Sequence, residues 1–245
     1  MSTIIFSCDC IIEDDRFGYL LEITKALVSI DLKINISGET QMLDMIPNPV
    51  PLSILAVTIV MSVLAFKHAH LMKQWLLTPY NISRSGSYRT FLTSGFIHAD
   101  YQHLFFNMFT FYFFAFPLED IMGPVKFTVL YFASLIISSI PSYLKNKDNP
   151  RYASLGASGA VSGVVFGFIL YEPLSRIYFM FIPVGIPAFI YAFLYLGYCI
   201  YSARRRSDNI NHSAHFWGSL TGFIITVAFD HDVVGRFIER IQSFI

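Results

Sequence analysis

Four polar side chains stand in stretches otherwise suited to a membrane interior. Ser158 lies in S-L-G-A-S-G-A-V-S-G-V-V-F-G-F (154–168), His215 in S-A-H-F-W-G (213–218), and His103 and Asn107 in H-L-F-F-N. Buried polar groups in apolar helices are costly, which makes them candidates for function. A serine is a weak nucleophile until a neighbouring base takes its proton, and a neutral imidazole is such a base. Amide hydrolysis also needs donors aimed at the developing oxyanion. The Ser158 amide, at a helix N-terminus, is one donor. His103 and Asn107 are four residues apart on one helical face and supply two more. No acidic residue lies in these segments to orient His215, so the pattern reads as a Ser158–His215 dyad.

Such chemistry requires elements that bring these residues together. The chain has 245 residues, 54% hydrophobic and only 14% charged. An ordinary soluble domain carries about 25% charged residues. The apolar excess comes in long blocks, so an all-α polytopic membrane protein is expected. Six apolar segments are read at about Val50–Phe66, Tyr101–Phe116, Val125–Leu144, Gly156–Tyr171, a fifth ending near Tyr201, and Ala214–Phe229. Pro183 and Pro187 blur the start of the fifth. The fourth is shorter than the roughly 20 residues a spanning helix needs, so water must meet it, or the polar neighbour Lys145–Tyr152 must dip inward. With six spans, the second, fourth and sixth run parallel, which puts all four polar residues toward one end of the bundle. Gly159, Gly163 and Gly167 recur at four-residue spacing, and Gly218 and Gly222 match them. Two such faces can pack closely, carrying His215 toward Ser158.

The remainder divides around this bundle. Residues 1–46 read as a small α+β domain, with Asp15–Leu27 faintly like half of an ACT ligand-binding module. Pro47, Pro49 and Pro51 mark a linker. The bundle domain is placed at 47–230 and an amphipathic tail at 231–245. The connection Lys67–Ala99 is half apolar, and Trp75, Leu76, Leu77, Tyr88, Phe91, Leu92 and Phe96 point to an interfacial loop. Zero formal net charge argues against a nucleic-acid partner. Cys8, Cys10 and Cys199 form no disulfide framework and no zinc spacing, and read as structural thiols. A metal site of His98, His103, His212 and His215 is disfavoured because no H-E-x-x-H and no carboxylate accompanies them. No cofactor is implied. The N-terminus shows no basic region followed by an apolar run, so no signal peptide is expected. Taken singly, each polar residue has a structural reading as interhelical glue, and the glycines as packing. Four placements at one level favour the catalytic reading.

At these residues the chain resembles the rhomboid family of intramembrane serine proteases. The resemblance covers about 50–230. It rests on Y-R-T-F-L-T-S-G-F-I-H-A-D-Y-Q-H-L-F-F-N-M-F (88–109), G-A-S-G (156–159), A-H-F-W-G-S-L-T-G (214–222) and the E-x-x-x-G of Glu119 and Gly123. Tyr88 stands where many members have tryptophan. The resemblance implies a six-transmembrane-helix rhomboid bundle with nucleophile Ser158 and base His215. It implies oxyanion donors His103, Asn107 and the Ser158 amide. It implies structural support from Gly156, Gly159, Gly163, Gly218, Gly222, Gly123, Arg89 and His98, with Glu119 anchoring the first loop. Substrates would be transmembrane proteins in the lipid bilayer, entering past the fifth helix under a lid at Ser202–Asn211. The expected location is a cell membrane, as in the bacterial inner membrane, with both termini cytoplasmic and the site opening outward. Lys/Arg counting points the other way, with the basic excess opposite the termini. The family topology is preferred because arginines in a lid and a re-entrant loop can serve anionic headgroups.

Overall fold

The computed structural model describes residues 48–179, 182–205 and 211–244. The expected α+β domain at 1–46, with Cys8 and Cys10, lies outside them. Asn48 leads into helix α1 (Pro49–Lys67), which has proline in its first turn, where a missing N–H costs nothing. The first loop then folds into short helices α2 (Ala69–Trp75), α3 (Pro79–Ser85) and α4 (Thr90–Thr93), followed by a 3₁₀ turn at Ser94–Phe96. Two long helices follow, α5 (Tyr101–Met122) and α6 (Pro124–Asn146). Gly123 joins them at φ +80°, a left-handed conformation that favours glycine, and Pro124 restarts the helix. Next come α7 (Ser158–Tyr171), a hairpin of β1 (Arg176–Phe179) and β2 (Ile182–Pro187), then α8 (Ala188–Arg205), α9 (His212–Phe229) and α10 (Val233–Gln242).

Among the described residues, α1, α5, α6, α7, α8 and α9 are the helices of 14 or more residues. They match the six apolar segments, with ends moved by a few residues. By length and composition alone, α1 and α6 are long and apolar enough to cross a membrane. The centre is α7, with eleven of its 14 residues buried. Its glycines make that possible. A methyl on Gly218 would collide with the Gly159 carbonyl, and one on Gly222 with that of Gly163. The opposite flank of α7 meets Ser134 and Ser138 of α6, where methyls on Gly163 and Gly159 would strike side chains. The seam therefore depends on backbone-to-backbone approach that any Cβ on α9 would prevent.

Two expectations need correction. The start of the fifth segment is a β-hairpin pairing Arg176 with Pro187 and Ile177 with Ile186. Pro183 and Pro187 forbid a regular helix there, and the chain instead pairs with itself before α8 begins. The first loop does not simply lie at the headgroups. Trp75 and Leu77 are each only 1% exposed. Leu77 exchanges backbone hydrogen bonds with Ser154 (3.0 and 2.9 Å), and Thr93 Oγ1 donates to the Trp75 carbonyl at 3.1 Å. These bonds draw the aromatic and leucine side chains inside the protein. Tyr88 does remain on the surface.

Candidate active site

Ser158 is the first residue of α7. Ala157 at the N-cap contributes no side-chain bond, which leaves the helix-end amides facing outward. His103 is the third residue of α5 and Asn107 lies one turn further. His215 is the fourth residue of α9. All four line one cavity of about 900 Å³, together with Lys145, Asn149, Arg151 and Tyr152 from the segment after α6. Water-compatible groups therefore surround the short helix, at the end of α7 opposite α10. Ser158, His103 and His215 are half-buried, and Asn107 is buried.

Each helix start is held in place. The Asp100 carboxylate caps α5, accepting from the His103 N–H at 2.7 Å. Asn107 Nδ2 donates to the His103 carbonyl at 3.0 Å, which uses one of its two amide hydrogens. Asn211 caps α9 by accepting from the Ala214 N–H at 3.1 Å. Its Nδ2 lies within hydrogen-bonding reach of three hydroxyls, Ser142 Oγ at 2.9 Å, Tyr152 OH at 3.2 Å and Ser154 Oγ at 3.3 Å, which share its two hydrogens. One amide thus ties the start of the His215 helix to α6 and to the segment entering α7. The sequence reading passed over Asn211, although N-H-S-A carries the signal of an asparagine N-cap before an apolar run.

The backbone leading to Ser158 is fixed by the first loop. Ser154 pairs with Leu77, and the Gly156 N–H donates to the Ser94 carbonyl at 2.9 Å. His98 is fully buried and bonds on both sides of its ring. Ser62 Oγ donates to the Phe96 carbonyl at 3.1 Å, so in its 3.0 Å contact with His98 it accepts. That places the proton on His98 Nδ1 and leaves Nε2 to accept from the Ala157 N–H at 3.4 Å. Burial pushes the His98 imidazole down to about 3, so it holds this neutral tautomer. Gly156 has φ +110°. A Cβ there would lie 2.9 Å from His103 Cε1 and 3.1 Å from Nε2, which places the His103 ring directly over the turn into Ser158.

A tyrosine of α8 also borders His215. Tyr195 of α8 stacks on its ring, with centroids 6.3 Å apart and planes 18° apart, and the Tyr195 hydroxyl is 2.9 Å from Ser162 Oγ. No spacing in the sequence links α8 to α9, so Tyr195 carried no signal. Glu119 lies toward the far end of α5. It is 16 residues along α5 from His103, about 24 Å at 1.5 Å per residue, and its Oε1 accepts from the Val50 N–H at 3.4 Å. Arg89 is exposed at the head of α4. The four-histidine metal set is not the one brought together. His98 packs on His103, rings 4.9 Å apart, while His212 and His215 gather with Cys199. Of the lid at Ser202–Asn211, α8 reaches Arg205, and 206–210 lie outside the described residues.

A family model, the Rhomboid domain, matches residues 85–230, more than half of the chain. The chain belongs to the rhomboid family. The rhomboid is similar to YdcA, a rhomboid protein of Bacillus subtilis (strain 168), at 30% identity over 188 residues. The match covers 73% of this chain and 87% of that one. It is similar to RHOMBOID-like protein 12, mitochondrial, of Arabidopsis thaliana, at 29% identity over 175 residues, covering 65% of this chain. It is similar to the rhomboid protease GluP of Bacillus subtilis (strain 168) at 28% identity over 158 residues, covering 64% of this chain. The chain spans about half the length of the Arabidopsis relative (51%) and 29% of GluP. The matched 85–230 takes in all four cavity residues, from the first loop to the end of α9.

Proposed function

We propose that this rhomboid is an intramembrane serine endopeptidase, with Ser158 as nucleophile and His215 as general base. The observation that carries the reading is the single cavity lined by Ser158, His215, His103 and Asn107, with Ser158 opening a helix. In this mechanism His215 takes the Ser158 hydroxyl proton as Oγ attacks a peptide carbonyl. The oxyanion accepts from the Ser158 N–H, the His103 ring and the Asn107 hydrogen not spent on the helix. Protonated His215 then returns its proton to the departing amine, and water hydrolyses the acyl-enzyme by the reverse path. Tyr195 and the Asn211 cap hold the imidazole in position. A dyad suffices here because these neighbours orient the ring without an acid.

The substrates are segments of membrane proteins that unwind near the cavity. At 14 residues α7 is about 21 Å long, short of a hydrocarbon core of about 30 Å. Its N-terminus then sits below the membrane surface at the base of a polar cavity, which lets water reach a serine within the bilayer. Substrate enters past α8, the least buried of the helices around the site. The protein is multi-pass, in a bacterial inner membrane, with the cavity opening outward.

A fluorophosphonate probe tests the reading on purified protein. Labelling is expected at Ser158, and Ser158→Ala should remove both labelling and cleavage of a transmembrane substrate. Retained cleavage by Ser158→Ala would overturn the mechanism. A wild-type protein that binds membrane helices yet neither labels nor cleaves would make it a non-catalytic relative. Asn107→Ala should lower the rate by about 10²–10³ or less, the usual cost of one oxyanion donor.

A further inference from the structure

Cys199 has no place in the proposed chemistry. It is fully buried on α8, and its Sγ lies with one ring nitrogen each of His212 and His215 in a set whose atoms are all within 4.8 Å of one another. His212 and His215 are three residues apart on α9, so both project from one face, and the thiol comes from the facing helix. We propose that Cys199, His212 and His215 form an inhibitory site for a thiophilic divalent cation, zinc above all.

The donor set argues for that class. One thiolate and two imidazoles suit zinc or copper and are poor ligands for calcium or magnesium, which take oxygen. Tetrahedral zinc holds such ligands at about 2.0–2.3 Å, hence about 3.5 Å from each other. Closing the set requires side-chain shifts of about 1 Å. Both histidines line the cavity, which gives the ion a route in and leaves its fourth position for water. The Tyr198 ring meets His212 edge-on at 5.2 Å and Tyr195 stacks on His215, so both rings are already confined. On binding, the Sγ–metal bond replaces S–H, the proton leaves to cavity water, and no group changes oxidation state.

Two consequences follow, both resting on the proposed role of His215. The metal occupies the lone pair the base needs. It also bridges α8 to α9, pinning the helix past which substrate enters. Zinc would thus act as a reversible lock, released by a chelator.

Cobalt(II) titration of the full-length Ser158→Ala protein tests the site without using activity. An intense near-ultraviolet thiolate-to-cobalt band is expected, lost in Ser158→Ala/Cys199→Ala and displaced by zinc. Absence of the band overturns the site. In the active protein, zinc should inhibit cleavage and EDTA restore it. Even outer-shell changes cost metal sites about 10–100-fold in affinity. Cys199→Ala, which should cleave normally without zinc, should therefore need about 100-fold more zinc for half-inhibition. His212→Gln provides the same test if Cys199→Ala folds poorly. Equal zinc sensitivity in wild type and both variants would overturn the lock. Cleavage retained by Ser158→Ala would sink the serine mechanism while leaving the cobalt band intact, so the two failures are distinguishable.

Discussion

Along the α7–α9 seam, backbone meets backbone, whereas along α8 large side chains face outward. Gly159, Gly163, Gly218 and Gly222 let two helices approach until a methyl on α9 would overlap a carbonyl of α7. On α8, Phe193 is 70% exposed and Leu194 62%, and Ala188, Cys199 and Ser202 are its buried residues among those described. His215 sits between these regions. Its backbone belongs to the close seam, and its ring faces Tyr195 on the open edge. A catalytic pair must hold its geometry to a fraction of an ångström, while a substrate the size of a helix needs a way in. Fixed seam and loose edge meet both needs on neighbouring helices.

The sharpest break in this comparison is one substitution made on both sides. Gly218→Ala or Gly222→Ala drives Cβ into backbone that cannot turn aside. A loss of about 3 kcal/mol or more is expected, beyond the usual range for overpacking, with cleavage abolished. Gly197→Ala on α8 meets nothing within 4 Å. There the gain in helix propensity should stabilise by about 0.5–1 kcal/mol. Unfolding in detergent measures both, and equal effects would remove the distinction. Gly156→Ala should come next. It combines a left-handed φ with a Cβ pressed on His103, so activity should fall much further than stability, read by comparing cleavage with the unfolding midpoint.

Smaller effects sharpen the boundary. Asn211→Ala removes the α9 cap at a cost of about 1 kcal/mol and should lower kcat by loosening His215. Tyr195→Phe keeps the stacked ring but loses the hydroxyl contact with Ser162, a change of about 1 kcal/mol. It should loosen α8 and raise turnover of a bulky substrate relative to a small one. The close side should also respond to pH through His98. Its folded value near 3 lies below the unfolded 6.5, so the unfolded chain binds the extra proton between them. Stability is then complete above about 6.5 and declines as pH falls toward 3. His98→Gln should flatten that slope in unfolding measured across this window.

The helices were legible because each is an uninterrupted apolar block, and Ser158, His215, His103 and Asn107 stood out as polar groups within such blocks. The hairpin before α8 was read only as a blurred boundary, since proline reports where a helix cannot run but not what replaces it. Trp75 and Leu77 look interfacial in sequence because composition does not distinguish a membrane surface from a protein interior. Ser62, Tyr195 and the long-range ties of Asn211 escape a local reading for a related reason. Their partners lie 33 to 69 residues away, and no local period encodes them.

By itself the sequence determined which residues could react and which faces could approach. Ser158 falls near the start of an apolar segment, and small residues four apart must lie on one helical face, because both can be read from local pattern and backbone geometry. Tertiary structure decided what those residues meet. Only packing placed His98 Nε2 against the Ala157 amide, Tyr195 on the His215 ring and Cys199 beside two histidines. Such contacts depend on how separate helices and loops register, a property of the whole assembly that no single segment contains.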